Sequence, residues 1–355
     1  MMRRRQTGWL GIDIGSASVK VAQLARDGAG LHVLARTIVP RSAQVLAGEE
    51  EQETEKLWSA SGEIRAALAL DGAFRGRQAA VAMPMGLCDV HHIENLSVEE
   101  AGLDAVVRRA IEAVTQSSAD HLEFDIWPAE NNSQAAAAQR WNVLAVARPW
   151  SDQVYHDVVG SRLACRTIDG LPHALARAVN LTASEHPLPP VAALDWGFGQ
   201  ATLCIVAEGR PVYVRCLKDC SLERTLTAIA TELNVTIPEA HLLLGQHGIR
   251  RQSTETIDEV TVLVGELITE PLRQLEQELT RTISHIGFQR KAIAPQQLLL
   301  FGGGALTRGL ARHLTQRLRL ETHVWSLGQE HPEATKQDCL FGTALALSAL
   351  AWEEP

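Results

Sequence analysis

Two short stretches place a carboxylate where a buried strand has no use for one. "GIDIGSASVK", residues 11–20, sets Asp13 between isoleucines and follows it with Gly15, Ser16, Ser18 and Lys20. "LDWGFGQAT", residues 194–202, sets Asp195 ahead of Gly197, Gly199 and Thr202. Burying an unpaired carboxylate is costly, so something outside the strand pairing is expected to use each acid. A tight turn of small residues exposes backbone N–H groups that cradle phosphate oxygens. Two such turns, one from each half of the chain, clasp a polyphosphate from opposite sides. Asp13 and Asp195 then serve as outer-sphere ligands of magnesium, an ion that keeps most of its waters. A third turn, Gly302-Gly303-Gly304, lets backbone approach a purine ring or its sugar, with a helix N-terminus beyond it. Either Asp-x-Gly alone reads equally well as an ordinary hairpin. The ordered set of three is the informative feature.

The elements that must hold these turns follow from periodicity. Residues 8–39 read as a β-meander, with strands at 8–14, 18–26 and 31–39. The acidic run "GEEEQETEK" reads as a solvated loop entering a helix that ends at Leu70, and "AAVAMP" at 79–84 as a short strand. Ser97 to Glu100 has the form of a capping box for a helix to about Gln116. "LEFDIWPA" and "WNVLAVA" flank a long polar loop, and a helix, the strand "CRTIDG" and a helix over 172–181 complete an α+β unit. Proline-rich "SEHPLPP" at 184–190 has the composition of a junction. A second meander then begins, so the Asp-x-Gly turns occupy equivalent points of an internal duplication. Thr236-Ile-Pro-Glu239 caps another helix, a helical region over 258–290 is expected to break at Pro271, and the glycine turn leads into an amphipathic helix with Leu306, Leu310, Leu314 and Leu318.

Bulk properties narrow the function. At 355 residues, two domains are the default. Apolar residues make up 46% and charged residues 21%, ordinary for a soluble protein, and the net charge of −9 argues against nonspecific nucleic-acid binding. MMRRR at the start lacks an apolar h-region behind it, and the run from Phe341 to Trp352 is too short to span a bilayer. Six scattered cysteines without a C-x-x-C pair read as core thiols in a reducing cytoplasm. His91, His92, His121, His156 and His173 lack metal-ligand spacing. No Gly-Lys dipeptide occurs, which excludes a Walker loop, and Ser16 and Ser18 sit on no nucleophile elbow.

The ordered set resembles the actin, sugar-kinase and heat-shock-chaperone ATPase superfamily, whose two phosphate motifs and adenosine motif have this form. Within it the chain is most similar to the PilM family of type IV pilus assembly, a relative of FtsA. "GIDIGSASVKVAQL", "HHIENLSVEEAGLDAVVRRAIE", "WNVLAVARPWSDQVYHDVVGSRLACRTIDGLPHALARA", "ELTRTISHI" and "LLFGGGALTRGLARHLTQRL" carry the likeness over nearly the whole chain. It implies an α/β, two-lobed actin-like fold: a first lobe over 1–183 with an inserted α+β subdomain at about 79–170, a junction at 184–190, and a second lobe over 191–355 with a helical insertion at about 235–292. The resemblance also implies ATP and Mg as ligands. Gly15, Ser16, Ser18 and Lys20 match the first phosphate turn, and Gly197 and Thr202 the second, with Gly199 completing it. Gly302, Gly303 and Gly304 match the adenosine turn, with His241 beside them, and Asp13 and Asp195 lie on the magnesium side. The implied job is a cytoplasmic platform, peripheral at the inner membrane through the short tail of a PilN-like partner. That tail is expected on the first lobe, near the opening meander and the inserted subdomain.

Departures from the pattern limit the chemistry. Where the family reads Asp-x-Glu, this chain has Asp169-Gly170-Leu171; where it reads Glu-x-x-Lys, this chain has His241 and Leu244. ATP is therefore expected to bind weakly and to be hydrolysed negligibly. A small-molecule kinase of the same superfamily would need a carboxylate poised against a substrate hydroxyl, which Leu171 does not supply. An FtsA-like filament protein would end in a membrane-targeting helix, whereas "AWEEP" is acidic.

Overall fold

Alternating and continuous apolar runs decide the strands. In the computed structural model, residues 6–28, 30–41, 59–94, 103–129, 140–183, 188–249, 258–328 and 337–353 are described. The expected acidic loop at 48–56, the Ser97–Glu100 capping box, the polar loop at 130–139 and residues 184–187 of the junction lie outside them. The chain divides into two units: residues 1–178 with 211–214 and 343–355, and residues 179–210 with 215–342. The C-terminal stretch thus belongs with the first unit although it follows the second in sequence.

The first unit is built on β1 (Gln6–Thr7), β2 (Leu10–Ile14), β3 (Ser18–Asp27), β4 (Gly30–Pro40), β5 (Gln78–Met83) and β9 (Ala164–Gly170). Their order is β1-β3-β2-β5-β9, with β4 on β3. β2, β3 and β4 form the antiparallel meander, and β5 and β9 add in parallel. Four of the six residues of β5 are alanine or valine, and it is buried from Ala79 to Met83, as a strand covered on both faces requires. Helices α1 (Ser61–Leu70) and α3 (Arg148–Gly160) belong to the same unit, as does α4 (Leu171–Leu181) as far as Ala178. A fourth helix, α9 (Asp338–Ala349), comes close enough to β2 to require glycine there: a Cβ on Gly11 would lie 1.8 Å from the Ala344 carbonyl oxygen. The Leu24 N–H donates to Ser348 Oγ at 2.9 Å, and the Trp9 N–H to the Ser348 carbonyl at 3.1 Å. Buried Gln23 is fully partnered, donating to the carbonyls of Gly8 and Arg75 and accepting from the Arg75 N–H.

Between β5 and α3 stands a small antiparallel sheet of order β6-β8-β7, from β6 (Cys88–Glu94), β7 (Leu122–Pro128) and β8 (Arg140–Ala147). One face packs on α2 (Leu103–Thr115) through Ile93, Val107, Ile111, Val143 and Ala145. β6 pairs with β8 along its whole length, setting Asp89 and His91 opposite Ala145 and Val143.

The second sheet repeats the first. β10 (Val191–Trp196), β11 (Ala201–Ala207), β12 (Arg210–Leu217), β13 (Gln297–Phe301) and β14 (Glu321–Val324) take the order β12-β11-β10-β13-β14. A meander is again extended by parallel strands, matching β4-β3-β2-β5-β9 position for position. Helix α5 spans Leu222–Leu233 and ends on Asn234 in the left-handed conformation. Helix α6 (Ile237–Gln246) opens with the expected capping box, in which Thr236 and Glu239 satisfy each other's backbone N–H groups. Helix α7 runs unbroken over Glu259–Gln289 with Pro271 inside it, which corrects the expected interruption. Proline removes one intrahelical donor. The buried stripe of Val264, Ile268, Leu272, Leu275 and Leu279 continues through that position and holds the helix together. α8 (Leu310–Leu318) follows the glycine turn.

Candidate functional site

Each Asp-x-Gly turn has the same internal geometry. In the first unit Asp13 lies opposite Lys20 across β2 and β3, and the Gly15 N–H donates to the Ser18 carbonyl at 3.0 Å. In the second unit Asp195 lies opposite Thr202 across β10 and β11, and the Gly197 N–H donates to the Gln200 carbonyl at 3.0 Å. The glycines are needed because the hairpin closes over them: a Cβ on Gly15 would come 3.1 Å from the Ser18 oxygen, and one on Gly197 2.9 Å from the Gln200 oxygen. Ser16 and Gly199 stand exposed near the tips of their turns.

The two acids are treated differently. Lys20 Nζ donates to Asp13 Oδ2 at 2.8 Å, both side chains being mostly shielded. Asp13 therefore has a partner from within the strand pairing. A cross-strand pair of opposite charge suits that register. At the equivalent place in the second turn stands buried Thr202.

Around Asp195 the glycine turn closes in. Gly302 has φ +78°, and a Cβ there would lie 2.3 Å from Asp195 Oδ1. A Cβ on Gly304 would penetrate the Trp196 ring at 2.4 Å. Trp196 itself is fixed by its indole N–H, which donates to the Cys220 carbonyl at 3.0 Å. The N-terminus of α5 is seated on the second turn, where the Leu222 and Glu223 N–H groups donate to the carbonyls of Gly197 and Phe198. Asp195, Gly197, Thr202 and Gly302 to Gly304 are thus assembled into one constellation in the second unit. Asp13, Gly15, Ser16, Ser18 and Lys20 form the other, in the first.

His241 joins the glycine turn. Its Nε2 lies 2.8 Å from the Gly303 carbonyl oxygen, and because a carbonyl only accepts, Nε2 carries the proton. That leaves Nδ1 as the ring's remaining polar atom. Leu244 is fully buried in α6, so the place where the family pattern sets a lysine is a core position here. Leu171 is likewise buried, at the start of α4. Nearby Asp169 is occupied: Arg177 donates to its Oδ2 at 2.9 Å, and the Gly170 N–H to its Oδ1 at 2.8 Å. Arg177 also holds Glu353. Burial opposes its charge, but Asp169 and Glu353 more than offset this and raise its pKa above the ordinary arginine value. Sequence reasoning missed this arginine. Its spacing of eight residues from Asp169, across a strand-helix junction, carries no motif.

Among the described residues no cluster of His, Cys, Asp or Glu forms a ready-made metal cage, and no helix is long and apolar enough to cross a membrane. Among the described residues no disulfide joins any of the six cysteines.

Two duplicated meanders with small-residue turns, followed by a strand-glycine-helix turn, define the actin-like fold, in which each lobe repeats one sheet. Residues 11–338 match the family described as "Type IV pilus assembly protein PilM", and the chain belongs to that family. Among solved structures it is similar to the "PilM-PilN type IV pilus biogenesis complex", with 21% identity and a TM-score of 0.77 over 98% of this chain and 99% of that one. It is also similar to the ethanolamine utilization protein EutJ from Carboxydothermus hydrogenoformans, with 14% identity and a TM-score of 0.54 over 97% and 89% of the two chains. No curated protein sequence matches it significantly.

Proposed function

We propose that this pilus-assembly protein binds the cytoplasmic tail of a PilN-like inner-membrane protein and uses a magnesium-bound nucleotide as a structural clamp. Family membership over residues 11–338 is the observation that carries the assembly role. The similar solved complex pairs a PilM with a PilN, and the acidic chain suits a tail with basic residues. We place the tail on the first unit, beside the opening meander and the small β6-β8-β7 sheet. The protein is then cytoplasmic and reaches the membrane through its partner. Fractionating cells with and without the partner tests this: membrane association should vanish when the partner is absent, and persistence would overturn it. Crosslinks from the tail confined to the second unit would overturn the placement.

The nucleotide half of the proposal rests on the donor set. Both turns are built of small residues, and Gly302 and Gly304 let the glycine turn pack directly on Asp195 and Trp196. ATP fits these residues: Gly15, Ser16, Ser18, Lys20, Gly197, Gly199 and Thr202 would hold its phosphates. Gly302 to Gly304 and His241 would meet its adenosine, and Asp13 and Asp195 the hydrated magnesium. Bound nucleotide would supply negative charge to the donors of a turn. Leu171 offers no group to orient a water, and Asp169 is committed to Arg177, so turnover is negligible. Titrating the protein with magnesium-ATP, alongside Asp13→Ala and Asp195→Ala, tests the reading. Weak binding lost in both variants supports it; no binding by the unaltered protein overturns the clamp.

A further inference from the structure

Charge is distributed unevenly along this chain. Acids outnumber lysine and arginine by 42 to 33 overall, yet no Asp or Glu occurs between Glu278 and Glu321, where seven arginines and lysines stand. A basic stretch within an acidic chain marks a surface that meets a partner of negative charge. The stretch opens with the last turns of α7. There Leu279, Thr282 and Ile286 are buried, while Arg281, His285 and Phe288, at spacings of four and three, share an exposed face. A short turn of helix, Lys291–Ile293, follows, with Ile293 buried and Lys291 exposed.

Phe288 is the most exposed large apolar side chain among the described residues, at 87%. One exposed apolar residue needs no explanation by itself. This one stands on the face of Arg281, at a helix end, in the stretch from which acids are missing. Arg281 is 70% exposed, and its partner Glu278 divides its two oxygens between Arg281 and Arg215, so the cluster keeps positive charge.

We propose that this end of α7 is a lipid-contacting surface, on which Phe288 enters the headgroup layer of an anionic bilayer while Arg281 and Lys291 meet lipid phosphates. A ring standing proud of a helix end suits a fluid layer that closes round it, and the negative surface of a membrane attracts the cations beside it. The chain as a whole carries a net charge of −9 and is repelled by such a surface, so the contact also selects which side faces the lipid. One aromatic with a few cations binds only marginally at cellular salt. The partner's tail therefore still governs where the protein sits, and the lipid contact orients it there.

The experiment sediments the full chain, without any partner, with vesicles of phosphatidylglycerol and separately of phosphatidylcholine, at low salt and high lipid. Phe288→Ser and the double variant Arg281→Gln with Lys291→Gln are compared, and thermal melting verifies that both fold. The unaltered chain should pellet with phosphatidylglycerol, not with phosphatidylcholine, and should be released as salt rises. Each variant should weaken binding about ten-fold. Failure of the unaltered chain to pellet with phosphatidylglycerol, or equal pelleting of the folded variants, would overturn the assignment. Binding to poly-glutamate, lost in the same variants and without vesicle binding, would overturn it too and give the face to an acidic protein partner. No tail is present in the assay, so the docking of the tail stands or falls separately.

Discussion

Lys20 faces Asp13 directly across the first hairpin, its ammonium 2.8 Å from Oδ2, and the same place in the second hairpin holds Thr202 opposite Asp195. The two halves of the duplication have thus kept the turn and diverged in charge. Replacing Lys20 with methionine should leave a shielded carboxylate short of its partner and cost about 1–3 kcal/mol. Combining Lys20→Met with Asp13→Asn should recover part of that loss. Urea unfolding of the two single variants and the double variant measures the coupling, and additive losses would show that the pair contributes nothing to stability.

The glycine turn predicts a rank order. Gly302→Ala combines a positive φ with a clash into Asp195, and Gly304→Ala drives a methyl into the Trp196 ring. Each should destabilise by about 2 kcal/mol or more. Gly303→Ala meets only the far ends of His241 and Leu222, at 3.2 and 3.3 Å, and should melt closest to the unaltered protein. Thermal melts of the three variants check the order.

Restoring the family's acid should not restore turnover. Leu171 is buried, so Leu171→Glu sets a carboxylate into an apolar site and lowers stability by about 3 kcal/mol. Phosphate release from ATP should stay at background in this variant and in Arg177→Met, which frees Asp169. A rise in turnover in Arg177→Met would show that the salt bridge was all that kept Asp169 idle.

The thiols should be inert in the native protein. Burial, reinforced by Glu278 and Asp219, pushes Cys220 up to about 11; burial, with Asp338 and Asp195, pushes Cys339 up to about 12; and burial alone raises Cys204 still higher. The thiolate is the reactive form, so these three should resist alkylation at about pH 8 and react once urea unfolds the chain. Mass spectrometry of the alkylated peptides reads the outcome site by site.

The helix caps set an acid limit. Glu239 accepts from the Thr236 backbone N–H and hydroxyl, and Asp258 from the Thr261 N–H; both carboxyls lie below their ordinary values of 4.5 and 3.8. A lowered folded-state pKa means stability that is present above the unfolded value and lost as pH falls through the folded one. Glu239→Gln should therefore flatten the decline of stability below about pH 4.5. Urea midpoints across that range make the comparison, and an unchanged slope would remove Glu239 from the acid response.

How much was legible depended on whether the determinant was local. The turns at Asp13-x-Gly15 and Asp195-x-Gly197, the Thr236–Glu239 cap and the glycine turn were readable because each depends on a few adjacent residues whose backbone conformation and side-chain chemistry are intrinsic. The same holds for β5 and β11, where burial on both faces writes itself as a nearly unbroken apolar run. Other features needed the fold. Pro271 reads as a break, yet the buried stripe on either side of it carries α7 through. Asp169 is paired with Arg177, and β2 requires Gly11 because α9 arrives there from more than three hundred residues away in sequence. The Asp13–Lys20 pair needed strand register, which spacing alone does not give. Local chemistry determined which pieces this chain contains; long-range packing decided which charges are already spent.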